Sequence, residues 1–316
     1  MTYNTTGIIL KYRDIGEYDR IYTVLTSEHG KIEAWAQGVR KPKSKLVAHL
    51  QPLYLCDFMF ARGRRFDRVA QVQVLNRFPE LWADLEKLSQ AVYAGSLIDL
   101  VLRPGTKEHN VFDLMVSVLD FFNSHPERSE PQASEVEGSP ANAGSRTFVR
   151  DSSGTSFPQN DNLVTLFSLH LLKESGFSPE LHHCVFCKKV VEGLSRRFDA
   201  ARGGVLCGAC VLSPPPPTPP NPPSGRGENP RAGGEKSPLL YKEGMGVVFP
   251  VSSLTLETLE TVLVSPLSRL EMPETVRREL STIADAMVTA HFGEEPRARR
   301  FMESIMMPRL PQMAGV

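Results

Sequence analysis

Four of the chain's five cysteines fall in residues 184–210, "CVFCKKVVEGLSRRFDAARGGVLCGAC", as two pairs spaced C-x2-C-x19-C-x2-C. Few folds satisfy four thiols placed so closely, and the choice between disulfides and metal turns on the redox compartment. The opening "MTYNTTGIILKYRD" has only a short apolar patch, residues 7–10, before its first charge, so no secretory signal is expected. No run approaches the roughly 18 apolar residues that a membrane span needs. The expectation is a cytoplasmic chain whose thiols stay reduced. There the spacing reads as one structural Zn2+ per chain held by Cys184, Cys187, Cys207 and Cys210. Each C-x2-C turn presents two sulfurs to one ion, and the segment between folds back as a hairpin. "RRFD" has strand character and Gly203-Gly204 supplies the turn. His182 and His183 stand beside the first pair, but four sulfurs complete the shell, so both are expected at the surface. A closed four-sulfur site leaves no position for water or substrate, which makes it a brace and not a catalyst. Such a centre carries a net charge of about −2, which Lys188, Lys189, Arg196, Arg197 and Arg202 would offset.

Function must then be sought elsewhere in the 316 residues, which leave room for two domains, with 41% apolar content to build their cores. The formal net charge of zero conceals an asymmetry. Residues 1–78 hold 13 Lys and Arg against 7 Asp and Glu, leaving 23 against 29 in the remainder. A basic first part suggests a polyanionic partner.

That part reads as five strands: "TGIILKY", "DRIYTVLTS", "KIEAWAQG", "LQPLYLCDFMFA" and "FDRVAQVQVLNRF". Ile32, Ala34 and Ala36 alternate with polar neighbours, as do Ala70, Val72 and Val74. Cys56 and His29 read as a core and a turn residue. Five strands packed between Met1 and Phe78, with no long helix among them, predict a small closed barrel of the oligonucleotide-binding type. Between strands three and four, Arg40, Lys41, Lys43 and Lys45 crowd a segment kept irregular by Gly38 and Pro42. A second basic turn, Arg62, Gly63, Arg64 and Arg65, joins strands four and five. Exposed cations on such a barrel are candidate phosphate contacts, although a solvated surface with no partner also accounts for them. Tyr12, Tyr22, Trp35, Phe58 and Phe66 are each either barrel core or stacking surfaces for bases.

From Pro79 the period becomes helical. One helix carries Leu81, Leu85, Leu88 and Val92; a second, capped by Asn110, carries Phe112, Met115, Leu119 and Phe122. A third spans 163–175 and ends at Gly176. A fourth runs from about Ser253 with Leu256, Leu259 and Leu263 inward. The last starts at Pro273, carries Val276, Leu280, Ile283 and Met287, and stops at Gly293. The expected organisation is therefore a barrel at 1–78 and an α-helical domain with the embedded zinc site at 79–316. It is interrupted by low-complexity insertions at about 126–160 and 213–238, the latter holding 10 of the 25 prolines.

Enzyme signatures are weak. The adenylated-lysine motif K-x-D-G of DNA ligases and the nucleophile motif G-x-S-x-G are both missing. "GGEKS" at 233–237 departs from a phosphate loop, with Glu235 before its lysine and no strand ahead. Asp14, Glu17 and Asp19 could hold a nuclease metal, but alternation with Arg13 and Arg20 around Gly16 reads better as a salt-bridged turn.

The stretches "TGIILKYRDIGEYDRIYTVLTSEHGKIEAWAQGVRKPKSKL", "LQPLYLCDFMF", "VLNRFPELWADLEKLSQAVYAGSLIDLV", "LLKESGFSPELHHCVFC", "RGGVLCGAC" and "MVTAHFGEEPRARRF" resemble, in order, bacterial recombination mediators of the RecO family. The resemblance covers nearly the whole chain outside the insertions. It implies an OB barrel followed by a zinc-bearing helical domain in a nucleoid-associated, non-enzymatic DNA repair protein. It also implies binding of single- and double-stranded DNA, annealing of complementary strands, and action with RecR to help RecA displace the single-strand-binding protein. The runner-up readings are a zinc-bearing transcription or translation factor and a DNA-processing enzyme of ligase or nuclease type.

Overall fold

The structure, a computed structural model, describes residues 1–106, 109–124, 161–191, 196–212, 248–265, 272–293 and 297–306. The two expected insertions lie outside the described residues.

Five strands form a closed barrel in the order β1-β2-β3-β5-β4: β1 (Thr2–Ile15), β2 (Asp19–Thr26), β3 (Gly30–Ala36), β4 (Leu55–Ala61) and β5 (Asp67–Asn76). All neighbours are antiparallel except β3 and β5, which pair in parallel over Ala34/Asp67 and Trp35/Arg68. This is the oligonucleotide-binding topology. Its interior is filled by Ile9, Tyr22, Val24, Ala34, Phe58 and Phe60, all essentially buried, with Phe58 and Phe60 stacked at 5.0 Å. Cys56 lies in this interior as expected, and burial pushes its thiol up to about 12.

Three strand details differ from expectation. β1 begins at Thr2, and its "GIIL" run is buried throughout because successive side chains serve two cores. Ile9 points into the barrel, whereas Ile8 and Leu10 pack with the helices. β4 starts only at Leu55. In β5 the register shifts where Met59 faces Gln71 and Phe60 faces Val69. That bulge leaves Ala70 exposed and turns Val69 inward, so the expected alternation holds only beyond it.

The helical part comprises α1 (Pro79–Ala83), α2 (Leu85–Val101), α3 (His109–Ser124), α4 (Asp161–Glu174), α5 (Gly208–Leu212), α6 (Ser253–Val264), α7 (Glu274–Phe292) and α8 (Arg297–Met306). A three-stranded sheet, in the order β7-β6-β8, lies among them: β6 (Arg196–Asp199), β7 (Gly204–Leu206) and β8 (Val248–Val251). The single helix expected from Pro79 is two, because the Asp84 carboxylate caps a new one by accepting from the backbone N–H of Glu86 and Lys87. Leu85 is consequently exposed, and α2 buries Ala91, Ala94, Leu97 and Ile98. Asn110 is not a cap. It sits within α3 and its side-chain N–H2 donates to Glu174 Oε2 at 2.6 Å. The apolar faces of α3, α6 and α7 are buried as the period predicts. Beyond them, β8 and α8 have no counterpart among the expected elements. Arg299 of α8 is gripped by Asp285 of α7 at 2.6 Å and by Glu303 at 2.8 Å.

Barrel and helices meet over one continuous apolar cluster in which Ile8, Leu10 and Leu25 join Ala94, Leu97 and Met115. A polar clasp crosses this junction. Buried Lys31 on β3 donates to the Asp99 carboxylate of α2 at 3.2 Å and to its backbone carbonyl at 2.6 Å. Lys11 Nζ on β1 reaches the same carboxylate at 2.5 Å. Burial alone would raise the Asp99 carboxyl, but the two ammonium groups outweigh it and hold the group below its ordinary value.

Candidate metal centre and nucleic-acid interface

The four cysteines arrive on two short turns. The first is closed by the Cys184 N–H donating to Lys189 O at 2.8 Å and by Lys188 N–H returning to Cys184 O at 2.9 Å. Lys188 adopts φ 60° to complete it. This turn is laced to β7: Val185 N–H donates to Val205 O, and Val205 N–H to Glu180 O. Cys207 follows β7 directly, and α5 carries Cys210 back.

All four Sγ atoms lie within 4.8 Å of one another, and Cys187 and Cys207 are 3.6 Å apart. Disulfide sulfurs sit at about 2.05 Å. Ligands about 2.3 Å from a tetrahedral ion are separated by roughly 3.8 Å, so the set has metal-site geometry. Its electrostatics agree. Burial works against ionisation of Cys184, but the backbone N–H groups of Cys187, Cys207 and Phe186 outweigh it and bring the thiol down to about 6. Burial and the adjoining sulfurs push Cys210 up to about 12, since sulfurs this close cannot all ionise without a cation among them. His182 and His183 turn to Glu260 and Glu180, each at 3.4 Å, as non-ligands should. One expected charge-balancing residue is engaged elsewhere: Arg202 is paired to buried Asp199 at 2.7 Å and lies over Phe186 at 4.1 Å.

The second candidate lies on the barrel. Arg40, Lys41, Lys43 and Lys45 are all exposed, the last at the head of a 3-10 turn, Leu46–Ala48. Arg40 N–H donates to Tyr18 O, its guanidinium lies 3.4 Å from Asp14, and Lys41 stands 5.8 Å from the Tyr18 ring. This segment therefore starts against the β1–β2 turn. The β4–β5 loop, with exposed Arg62, Arg64 and Arg65, reaches the same neighbourhood through the foot of β5, where Arg68 bonds Gln37 at 3.0 Å. Asp19 ties these pieces together by accepting from Trp35 Nε1 at 3.0 Å and from Gly38 N–H at 2.7 Å. Two cationic groups that lie well apart in sequence, Arg40 with Lys41 and Arg62 to Arg65, thus flank one end of the barrel.

Residues 1–78 match the family model described as "Recombination protein O N terminal", and residues 155–226 match "Recombination protein O C terminal". A DNA repair protein RecO from Synechococcus sp. is 33% identical over 221 residues, covering 67% of each chain. The chain belongs to the RecO family. A further RecO, from Desulforudis audaxviator, is 28% identical over 308 residues, 96% of this chain and 97% of the relative. This RecO-family member is accordingly a DNA repair and recombination protein, and the first family match spans the barrel while the second spans all four cysteines. No described helix is long and apolar enough to cross a membrane.

In this RecO-family barrel, Asp19 and Gln37 also shape the basic end, and no local pattern in the sequence places them there. Arg68 is visible as a strand charge, but nothing near it signals its bond to Gln37. Gly204 is a further such residue. A Cβ there would lie 2.6 Å from Glu180 O and 2.6 Å from Val185 Cγ1. Gly204→Ala is therefore expected to part the first cysteine turn from β7, at a cost on the order of 2 kcal/mol. Thermal melting and retained metal per chain measure it, and a variant matching the parent in both would show that the turn tolerates the displacement.

Proposed function

We propose that this chain is a non-enzymatic recombination mediator that binds single- and double-stranded DNA and anneals complementary strands. With RecR it helps load RecA onto DNA coated with single-strand-binding protein, acting in the cytoplasm at the nucleoid. The observation that carries this reading is the gathering of exposed Arg40, Lys41, Arg62, Arg64, Arg65 and Arg68 around one end of an OB barrel in a RecO-family chain. The β1–β2 and β4–β5 loops are where such barrels take oligonucleotides, and cations there gain affinity by releasing counterions condensed on the nucleic acid. In this reading, residues 1–78 are the nucleic-acid-binding domain and 79–316 the helical domain. Cys184, Cys187, Cys207 and Cys210 hold a structural Zn2+, which when bound supplies charge neutralisation and cross-linking of the two turns.

Strand annealing with complementary oligonucleotides, bare and coated with single-strand-binding protein, tests the proposal. Acceleration of both supports it, whereas nucleotide turnover, metal-dependent cutting or preference for RNA overturns it. Replacing Lys41, Lys43 and Lys45 together with alanine tests the phosphate contacts. Each phosphate that a cation neutralises on a single strand adds about 0.7 to the slope of log affinity against log salt. Without the three lysines the slope should flatten by up to about 2. Melting should barely change, because exposed charges add little to stability. An unchanged slope would move the phosphate path to Arg62, Arg64, Arg65 and Arg68.

A further inference from the structure

We propose that Trp35 and Phe66 form a stacking site specific for single strands, at which arginines now covering the rings give way to unpaired bases. This inference rests on the DNA-binding reading above. Two clefts meet at these rings. One, of about 390 Å³, is lined by Trp35, Phe66 and Arg62, Arg64, Arg65 and Arg68. The other, of about 360 Å³, is lined by the same two rings with Ile15, Gly16, Asp19 and Ile21. Trp35 and Phe66 are thus the partition between a basic cleft and an apolar one, both of a size that accepts small flat ligands.

The partition is held in place. Trp35 Nε1 donates to Asp19 at 3.0 Å, and Ile21, its cross-strand neighbour on β2, is buried behind it. Phe66 ends a loop folded so tightly that a Cβ on Gly63 would lie 1.9 Å from Phe66 O, so only glycine permits that path. Guanidinium groups cover the rings: Arg68 lies 5.4 Å from the Trp35 ring, and Arg65 and Arg13 lie 5.1 and 5.8 Å from Phe66. Such contacts are favourable but modest, and a base offers the same aromatic face an equivalent partner. A guanidinium that moves aside for a base gains a phosphate from the same strand.

In a duplex both faces of each base are covered by its neighbours. The rings then have nothing to take, and only the cations engage. Pairing of two strands would accordingly withdraw bases from Trp35 and Phe66, return the arginines to the rings, and leave the annealed product more weakly held than either strand alone.

The chain has two tryptophans, and the second, Trp82 of α1, packs on Tyr54. In the full-length Trp82→Phe protein, Trp35 is therefore the sole indole reporter. Titration with oligothymidylate should quench its fluorescence, and a duplex of equal length should not. Phe66→Leu in the same protein should lower single-strand affinity about 10-fold, the effect of removing one stacking partner, while duplex affinity and the salt slope stay put. Equal quenching by duplex, or equal weakening of both DNA forms, overturns the stacking site alone. Failure to bind either form overturns the DNA-binding reading with it.

Discussion

Cys207→Ala is expected to abolish zinc binding at the four-cysteine cluster and to melt the helical part of the chain well before the barrel. Structural zinc contributes an apparent binding energy on the order of 10 kcal/mol or more at neutral pH. Because the unfolded chain has no preformed site, most of that is folding energy. Here the expected loss is focused. The four sulfurs are the junction of the Glu180–Val191 turn, β7 and α5, and Cys184 belongs to the apolar cluster shared by α2, α4, α6 and α7. The barrel interior around Tyr22, Phe58 and Phe60 forms a separate cluster and should survive. Metal analysis should find one zinc per chain in the parent and none in the variant. Far-ultraviolet dichroism should then show two transitions, with DNA binding persisting through the first. A well-folded parent preparation without zinc would sink this account, as would a variant of unaltered stability that no longer bound DNA.

Asp99→Ala is expected to loosen the barrel from the helices by on the order of 3 kcal/mol, the range found when one partner of a buried ion pair is removed. Lys31 has a side chain only 8% exposed and would keep its bond to the Asp99 carbonyl while losing its counter-charge. Replacing both partners with apolar residues, as in Lys31→Met with Asp99→Leu, should be milder than Asp99→Ala, because no charge is then left buried. The pH dependence has a definite sign. The carboxyl of Asp99 is held below its ordinary value in the folded chain, so its stabilisation is complete above the unfolded value near 3.8 and disappears as the pH falls through the lower, folded one. Denaturant melts of the parent and Asp99→Ala should therefore differ at neutral pH and converge under acid. A constant difference down to the lowest accessible pH would count against the clasp.

Both effects depend on residues of very different legibility. The cysteine spacing announces a four-sulfur site before any fold is known, because a C-x2-C turn brings its own two ligands together whatever surrounds it. Asp99 announces nothing. It is one acid among several in a helical stretch, and its partner lies far back along the chain on β3. The split at Asp84 is hidden because capping competes locally with an apolar period that continues through it. Ala70 defeats the alternation rule because a bulge moves side chains between faces without altering composition.

The sequence by itself determined the number of barrel strands, the buried faces of α3, α6 and α7, the clustering of four cysteines and the basic character of the barrel segment. Each of these is written in a strand or helix period, in a fixed short spacing, or in a charge count. Tertiary structure alone decided that "GIIL" serves two cores, that Lys31 meets Asp99, that Arg68 joins Gln37 beside Trp35, and that Gly63 and Gly204 admit no Cβ. Those facts follow from barrel closure and from the approach of segments distant in sequence. The geometry that governs them is set by register, bulges and packing, and it leaves no local trace in residue type.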